Sequence, residues 1–287
     1  MERPGRGLRH LLAGETILVP GAYNALVGRV LEDAGFPAIY AGGYAAAAAT
    51  YALPDIGIVS GAEMAEHVSR IARSVSVPVI ADADTGYGEL VNVARTVREL
   101  ERAGAAAVQL EDQVSPKRCG HLEGKRVIPR DEMVRKLRVA LDARSDPETV
   151  IVARTDAIAV TGLDDAIDRL RAYADAGADV LFPDAPRSVA ELRAIAGAVE
   201  LPLVANMSEH GKTPLLSTAE IAELGYAIAL YPSSTLFAAA RSARELAEIL
   251  KRDGTTRDAL DRLMPFDDLN DLVGLAAWQA EEAKGVA

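Results

Sequence analysis

The chain has 287 residues, 49% hydrophobic, 25% charged and only 5% aromatic, with a formal charge of −11. The acidic balance excludes an electrostatic nucleic-acid binder, which needs a basic face. No run approaches the roughly 20 apolar residues of a membrane span; the Ala-rich run 45–49 is too short and too weakly hydrophobic. A single cysteine, Cys119, allows no internal disulfide and suits a reducing compartment. The N-terminus (MERPGRGLRHLLAGET) lacks the apolar stretch of a signal peptide, so a cytoplasmic protein is expected.

Eight short β-rich runs alternate with amphipathic helical stretches. The first run is 17–20, and a helix ending at Asp33-Ala34-Gly35 leads to the second, 37–41. Helix 61–74 precedes the run 78–82, and helix 89–103, ending in Arg102-Ala103-Gly104, precedes 106–111. Helix 131–144 leads to 149–154, and helix 163–176, ending in Asp175-Ala176-Gly177, leads to 179–183. Helix 188–198 is followed by runs at 201–205 and 227–231. Glycine after a helix suits the left-handed C-cap. Such alternation implies parallel strands joined by helical crossovers, and eight units fit an α/β fold of the (β/α)₈ TIM-barrel type. A doubly wound open sheet is the competing fold, weakened by the absence of a glycine-rich dinucleotide fingerprint after the first run. No linker divides the chain, so one domain spans 1–287. Its end, 236–287, is a helical extension with segments 236–254, 256–263 and 267–284. Apolar residues at 269, 272, 273 and 276, with Trp278, suggest packing on the barrel or on a neighbouring subunit.

A barrel demands chemically able residues at the C-terminal ends of its strands. The second run ends into Gly42-Gly43-Tyr44, and the third into Asp82, Asp84 and Gly86-Tyr87-Gly88. The fourth meets Glu111-Asp112, the fifth Arg154-Thr155-Asp156, and the sixth Asp184. The seventh runs into Asn206 and Ser208, the eighth into Tyr231-Pro232-Ser233-Ser234. After the fourth run comes the loop Lys117-Arg118-Cys119-Gly120-His121, where nearby cations favour the reactive thiolate. Asp82, Asp84 and Glu111 form an oxygen-rich cluster suited to a hard cation; the competing reading is helix caps and salt bridges. Arg154 has the fork for a carboxylate ligand, or an internal ion pair with Asp156 or Glu111. Gly42-Gly43 lets backbone N–H groups approach an anion. His10 and His67 are expected to be solvated or packed, and His210 is ambiguous.

The motifs GAYNAL, GGYAAAAATYALPDIG, DADTGYG, QLEDQVSPKRCGH, VARTDA, FPDAP, LVANMSEHG and ALYP resemble the isocitrate lyase/phosphoenolpyruvate mutase superfamily over roughly 17–240. Within it, the KRCGH loop marks the carbon–carbon lyases. The resemblance implies an α/β barrel that depends on Mg²⁺ (or Mn²⁺ in its place) and forms a homotetramer, a dimer of dimers, with the last barrel helix swapped between subunits. It implies that Asp82 binds the metal directly, while Asp55, Asp84 and Glu111 act through water. Gly42, Gly43 and Tyr44 would hold the α-carboxylate of the substrate and Arg154 would contact it. Asp184, which stands where methylisocitrate lyases carry Glu, would line the pocket with Asn206 and Ser208. Lys117, Cys119, Gly120 and His121 would close over the substrate. The implied reaction cleaves a 2-hydroxy acid to a 2-oxo acid. A metal stabilises oxyanion charge, Cys119 protonates the departing fragment, and loop closure keeps water away.

Three departures narrow the substrate. Gly42 replaces a Ser of methylisocitrate lyases, and Phe237 and Phe266 match positions that carry Arg there. Burying a third carboxylate without those guanidiniums costs several kcal/mol. Gly43-Tyr44 resembles the 2,3-dimethylmalate (2-alkylmalate) lyase branch. The expectation is therefore a hydroxy-dicarboxylate substrate, yielding a 2-oxo acid such as pyruvate and a short carboxylic acid. The enzyme alternatives are methylisocitrate lyase, oxaloacetate hydrolase (with Ser233 or Ser234 serving an activated water) and carboxyphosphonoenolpyruvate mutase. A small-acid-binding barrel without turnover is the non-enzyme alternative.

Overall fold

A computed structural model of the chain describes residues 3–120 and 122–284, so the expected site residue His121 lies outside the described residues. Its eight strands are β1 (Ile17–Pro20), β2 (Ile39–Ala41), β3 (Val79–Asp82), β4 (Ala107–Glu111), β5 (Val150–Thr155), β6 (Val180–Pro183), β7 (Val204–Asn206) and β8 (Ile228–Tyr231). Strands β2 to β6 form one parallel sheet in sequence order, and β8 lies between β1 and β7 in another. Parallel bridges Gly21–Tyr40 and Leu181–Leu203 join the two sheets into a ring. Hydrogen bonds from Ala22 N to Tyr40 O (2.8 Å) and from Leu181 N to Pro202 O (2.9 Å) stitch the same seams. The expected (β/α)₈ barrel is thus the observed fold.

Among the described residues, twelve α-helices accompany the strands: α1 (Pro4–Leu12), α2 (Ala25–Asp33), α3 (Gly43–Tyr51), α4 (Gly61–Ala72), α5 (Leu90–Ala103), α6 (Arg130–Ala143), α7 (Leu163–Asp175), α8 (Val189–Ala196), α9 (Thr218–Glu223), α10 (Ser234–Asp253), α11 (Phe266–Leu272) and α12 (Leu275–Lys284). Gly35, Gly104 and Gly177 follow α2, α5 and α7 with positive φ, as their spacing predicts. Capping boxes at Ser60/Glu63 and Ser217/Glu220 start α4 and α9.

Alternation along each strand splits the core in two. Ile80, Val150, Val152, Val180, Phe182, Val204, Ile228 and Leu230 fill the barrel interior. Ala81, Val108, Leu110, Ile151, Ala153 and Leu181 face the helices instead. The inward set continues to the C-terminal strand ends, where the interior turns polar.

Three helices, α1, α3 and the short α9, were not evident from periodicity. Helix α1 closes the N-terminal end of the barrel, with Leu8 fully buried in the interior core. It lies so close to the chain before β5 that a Cβ on Gly5 would stand 2.3 Å from the Glu148 carbonyl oxygen. Arg9 fixes it there, donating to Glu148 O at 2.9 Å and to Asp179 Oδ1 at 2.8 Å. Helix α3 is built from the Ala-rich run, whose uniformly small side chains carry no polar face to betray a helical period.

The tail differs in detail. The segment 256–263 is a 3₁₀ turn, Arg257–Arg262. Gly274, with φ +78°, breaks the expected helix 267–284 into α11 and α12. Helix α11 touches α2, where Arg29 Nη1 donates to Leu272 O at 3.4 Å. Trp278 nevertheless remains 73% exposed, with Leu269 and Val273 exposed beside it and Leu272 half-buried, so the expected apolar stripe is only partly covered among the described residues; Phe266 is 79% exposed. No helix among the described residues is long and apolar enough to cross a membrane.

Candidate active site

A cavity of about 410 Å³ opens at the C-terminal ends of the strands. Gly42, Gly43, Tyr44, Asp55, Asp82, Glu111, Lys117, Cys119, Gly120, Arg154, Asp184, Asn206, Ser208 and Phe237 all line it. The strand pleat explains the convergence. Tyr40, Asp82, Glu111, Arg154 and Asn206 continue the inward-facing set of their strands, and Asp184 follows β6 in the same phase. Asp84 stands just behind the lining, against Lys117. Of the two phenylalanines expected to bear on substrate choice, Phe237 lines this cavity and Phe266 does not.

One corner holds the carboxylates. Asp82 accepts from Gly43 N at 3.0 Å, Asp84 N at 3.1 Å and Gln109 Nε2 at 3.3 Å. The Gly43 N–H is therefore committed to Asp82 rather than open to a substrate carboxylate. The first turn of α3 still faces the cavity through Tyr44 and Ala45, and a helix N-terminus favours anions. Lys117 Nζ lies 2.6 Å from Asp55 Oδ1 and 3.0 Å from Asp84 Oδ1. Burial works against the Lys117 ammonium, yet Asp84, Glu111, Asp55 and Asp82 hold its pKa well above the usual lysine value. Burial pushes Asp84 up to about 7 despite Lys117, with Asp82 and Asp55 adding to the rise. Burial likewise raises Glu111 far above the usual carboxylate range, although Arg154 opposes it.

Arg154 is already engaged. It forks onto Asp156, Nε to Oδ2 at 2.9 Å and Nη2 to Oδ1 at 3.1 Å. Glu111 Oε2 lies 3.3 Å from Nε, and Asp184 Oδ2 lies 3.1 Å from Nη2. The guanidinium carbon sits 5.1 Å from the Phe182 ring centroid, a cation–π distance. Of the two readings open in the sequence, the internal ion pair is the one the structure shows. Asn206 Nδ2 donates to Asp184 Oδ1 at 3.0 Å.

Several buried oxygens have no hydrogen-bond partner among the described residues, including Glu111 Oε1 and Asn206 Oδ1. A buried, unsatisfied polar atom calls for an explanation such as an ion or a ligand. The all-oxygen donor set suits a hard cation. Among the described residues no three Asp, Glu, His or Cys side chains converge closely enough to grip one ion together.

The Cys119 loop lies down on this floor. Gln113 clips Arg118 on both sides, accepting from its N at 3.0 Å and donating to its O at 2.9 Å. Cys119 N donates to Asp55 O at 3.1 Å. A Cβ on Gly120 would fall 2.2 Å from Asp184 Oδ2 and 2.7 Å from Arg154 Nη2, so only glycine permits this approach. Lys125, which the sequence reading passed over, donates to Gly120 O at 2.5 Å and to Asp156 Oδ1 at 2.8 Å. Against its burial, Arg154 and Lys125 hold Asp156 well below the usual carboxylate range. No pattern marks Lys125 in HLEGKR, where a solvated lysine is the ordinary expectation.

The far wall is aromatic, with Tyr44 and Phe237 meeting edge to face, ring centroids 6.0 Å apart. At the rim, Ser233 lines the cavity and Ser234 Oγ donates to Glu209 Oε1. His210 lies on the rim, His10 is exposed, and His67 is buried in α4 away from the cavity.

The sequence matches the phosphoenolpyruvate phosphomutase family over residues 8–251. It is 46% identical over 285 residues to a 2-methylisocitrate lyase of Aeropyrum pernix, covering 99% of this chain and 92% of that protein. A 2,3-dimethylmalate lyase of Eubacterium barkeri is 43% identical over 269 residues, covering 93% of each chain. A crystal structure of 2,3-dimethylmalate lyase, described as a PEP mutase/isocitrate lyase superfamily member, matches with a TM-score of 0.93 and 40% identity, covering 99% of this chain and 96% of that one.

Proposed function

The chain belongs to the phosphoenolpyruvate phosphomutase family, within the PEP mutase/isocitrate lyase superfamily, and from that premise we propose a carbon–carbon lyase that cleaves a 2-hydroxy dicarboxylate of the 2,3-dimethylmalate or 2-alkylmalate type. The products are a 2-oxo acid such as pyruvate and a short carboxylic acid. Mg²⁺ would be held by Asp82 directly, with Asp55, Asp84 and Glu111 holding its water, and would supply charge for the substrate oxygens. The N-terminal turn of α3 draws the α-carboxylate and Lys117 steadies the acidic corner; a base takes the hydroxyl proton as the carbon 2–carbon 3 bond breaks, and Cys119, entering as the protonated thiol, gives its proton to the released carbon and is left as the thiolate that the cations of the loop favour. The Cys119 loop excludes water while this happens. A homotetramer with the last helix exchanged belongs to the same proposal; the exposed Phe266 and Trp278 support it. So does a cytoplasmic location, which suits a protein with a single thiol.

The observation that carries the substrate class is the Tyr44–Phe237 wall. It offers apolar surface to the leaving fragment, where an added carboxylate would be buried without a partner. A second reading, 2-methylisocitrate cleavage, is favoured by Arg118, a cation that also lines the cavity. The test offers 2,3-dimethylmalate, 2-methylisocitrate and oxaloacetate to the Mg²⁺-loaded protein and follows 2-oxo acid release. Dimethylmalate is expected to be turned over at least about tenfold faster, corresponding to a difference of about 1.4 kcal/mol. A faster methylisocitrate rate would transfer the assignment to the second reading. Cys119→Ser is expected to abolish cleavage while keeping the fold, and full activity in that variant would remove the thiol from the mechanism.

A further inference from the structure

Two lysines tie the Cys119 loop to the barrel, and they are unlike. Lys212 Nζ reaches Glu123 Oε1 at 3.2 Å, but the Glu123 side chain is 92% exposed. Exposed pairs of this kind contribute little, because water screens them. Lys125 is 3% exposed at its side chain and touches both the loop and the floor, through Gly120 O at 2.5 Å and Asp156 Oδ1 at 2.8 Å. Asp184 Oδ2 lies a further 3.6 Å from the same ammonium. Glu111, Asp156 and Asp184 surround Arg154, so without Lys125 one guanidinium would face three carboxylates. A cation so outnumbered is poorly placed to attract an anionic substrate. With Lys125 in place, two of those carboxylates share a second cation.

We infer that Lys125 is the latch of the loop: a positioning residue that holds Gly120 down over the cavity and, through Asp156 and Asp184, completes the charge balance around Arg154. Seating the loop and preparing Arg154 are then one event, because the same ammonium does both. The inference rests on the proposed role of this loop as a cover, and not on which acid is cleaved.

Alkylation of Cys119 by iodoacetamide, followed by intact mass, reads loop opening without any substrate, since the chain has one cysteine. Lys125→Met and Lys125→Gln are expected to be alkylated about tenfold faster than the wild type, and Lys125→Arg to recover most of the protection. Loss of a nearby cation would by itself raise the thiol pKa and slow alkylation, so acceleration has opening as its cause. Lys212→Met, which breaks only the exposed tether, is expected to stay within about twofold of the wild type. Whichever of the Met and Gln variants keeps the wild-type circular dichroism spectrum decides the matter. A rate within twofold of the wild type in that variant overturns the latch, whatever the substrate panel shows.

Discussion

Glu111 and Asp112 are neighbours in sequence and lie on opposite sides of the barrel wall. Both are buried, to 3% and 0% exposure, and burial raises the pKa of both. Asp112, on the helix side, accepts from Thr155 Oγ1 and Tyr173 OH at 2.7 Å, Asp156 N at 3.0 Å and Arg169 Nη1 at 3.2 Å. Glu111, on the cavity side, has one ion pair at 3.3 Å and an oxygen with no partner. Burial alone does not separate a structural carboxylate from an available one; satisfaction does. The helix-side knot also serves the cavity, because Asp112 fixes the backbone of Asp156, which in turn grips Arg154.

The comparison makes graded predictions. Asp112→Ala should cost the most stability, about 3–5 kcal/mol, because it leaves two buried hydroxyls and the Asp156 N–H without their acceptor and takes away one of the two carboxylates on Arg169, Asp165 remaining at 2.8 Å. Urea unfolding measures it, and a loss under about 1 kcal/mol would break the distinction. Glu111→Gln should leave stability within about 1 kcal/mol while turnover falls roughly 10–100-fold, the usual effect of losing a group that orients a metal site. Equal destabilisation by the two substitutions would show that both carboxylates are structural. His67 supplies the smallest and sharpest case, since it is buried with Nε2 unpartnered but lies away from the cavity. Burial, helped by Arg70, lowers its pKa from 6.5 to about 4. Between those values the unfolded chain binds a proton that the folded chain refuses, so stability falls as pH falls. The slope is at most about 1.4 kcal/mol per pH unit. His67→Phe should flatten that part of the urea midpoint against pH, with activity at neutral pH unchanged.

Much of this was legible in the residues. Strand periodicity, glycines after helices and polar strand ends were enough to place eight strands and to gather the cavity carboxylates. Opposite fates for Glu111 and Asp112 were also implicit, since adjacent residues on a strand point to opposite faces; both had been read as a single acidic pair. Other features need the third dimension. Lys125 owes its burial to a loop folding back on Asp156, which no local pattern encodes. Phe266 and Phe237 stand 29 positions apart, with the turn at 257–262 between them, and one is an exposed ring while the other is a cavity wall. The Gly274 break was foreseeable, because a glycine inside a helical pattern weakens it.

Helix α1 closes the barrel with a hydrogen bond to a carbonyl 139 residues further along, and with another to Asp179, 170 residues away. That separation becomes a waiting time during synthesis. At about 5–20 residues per second, the ribosome needs roughly 7–28 s to deliver Glu148 after Arg9 has been made. For that interval Leu8 and the N-terminal end of the nascent barrel have no lasting cover. Helix α1, made before every strand of the barrel, is therefore among the last elements that can settle.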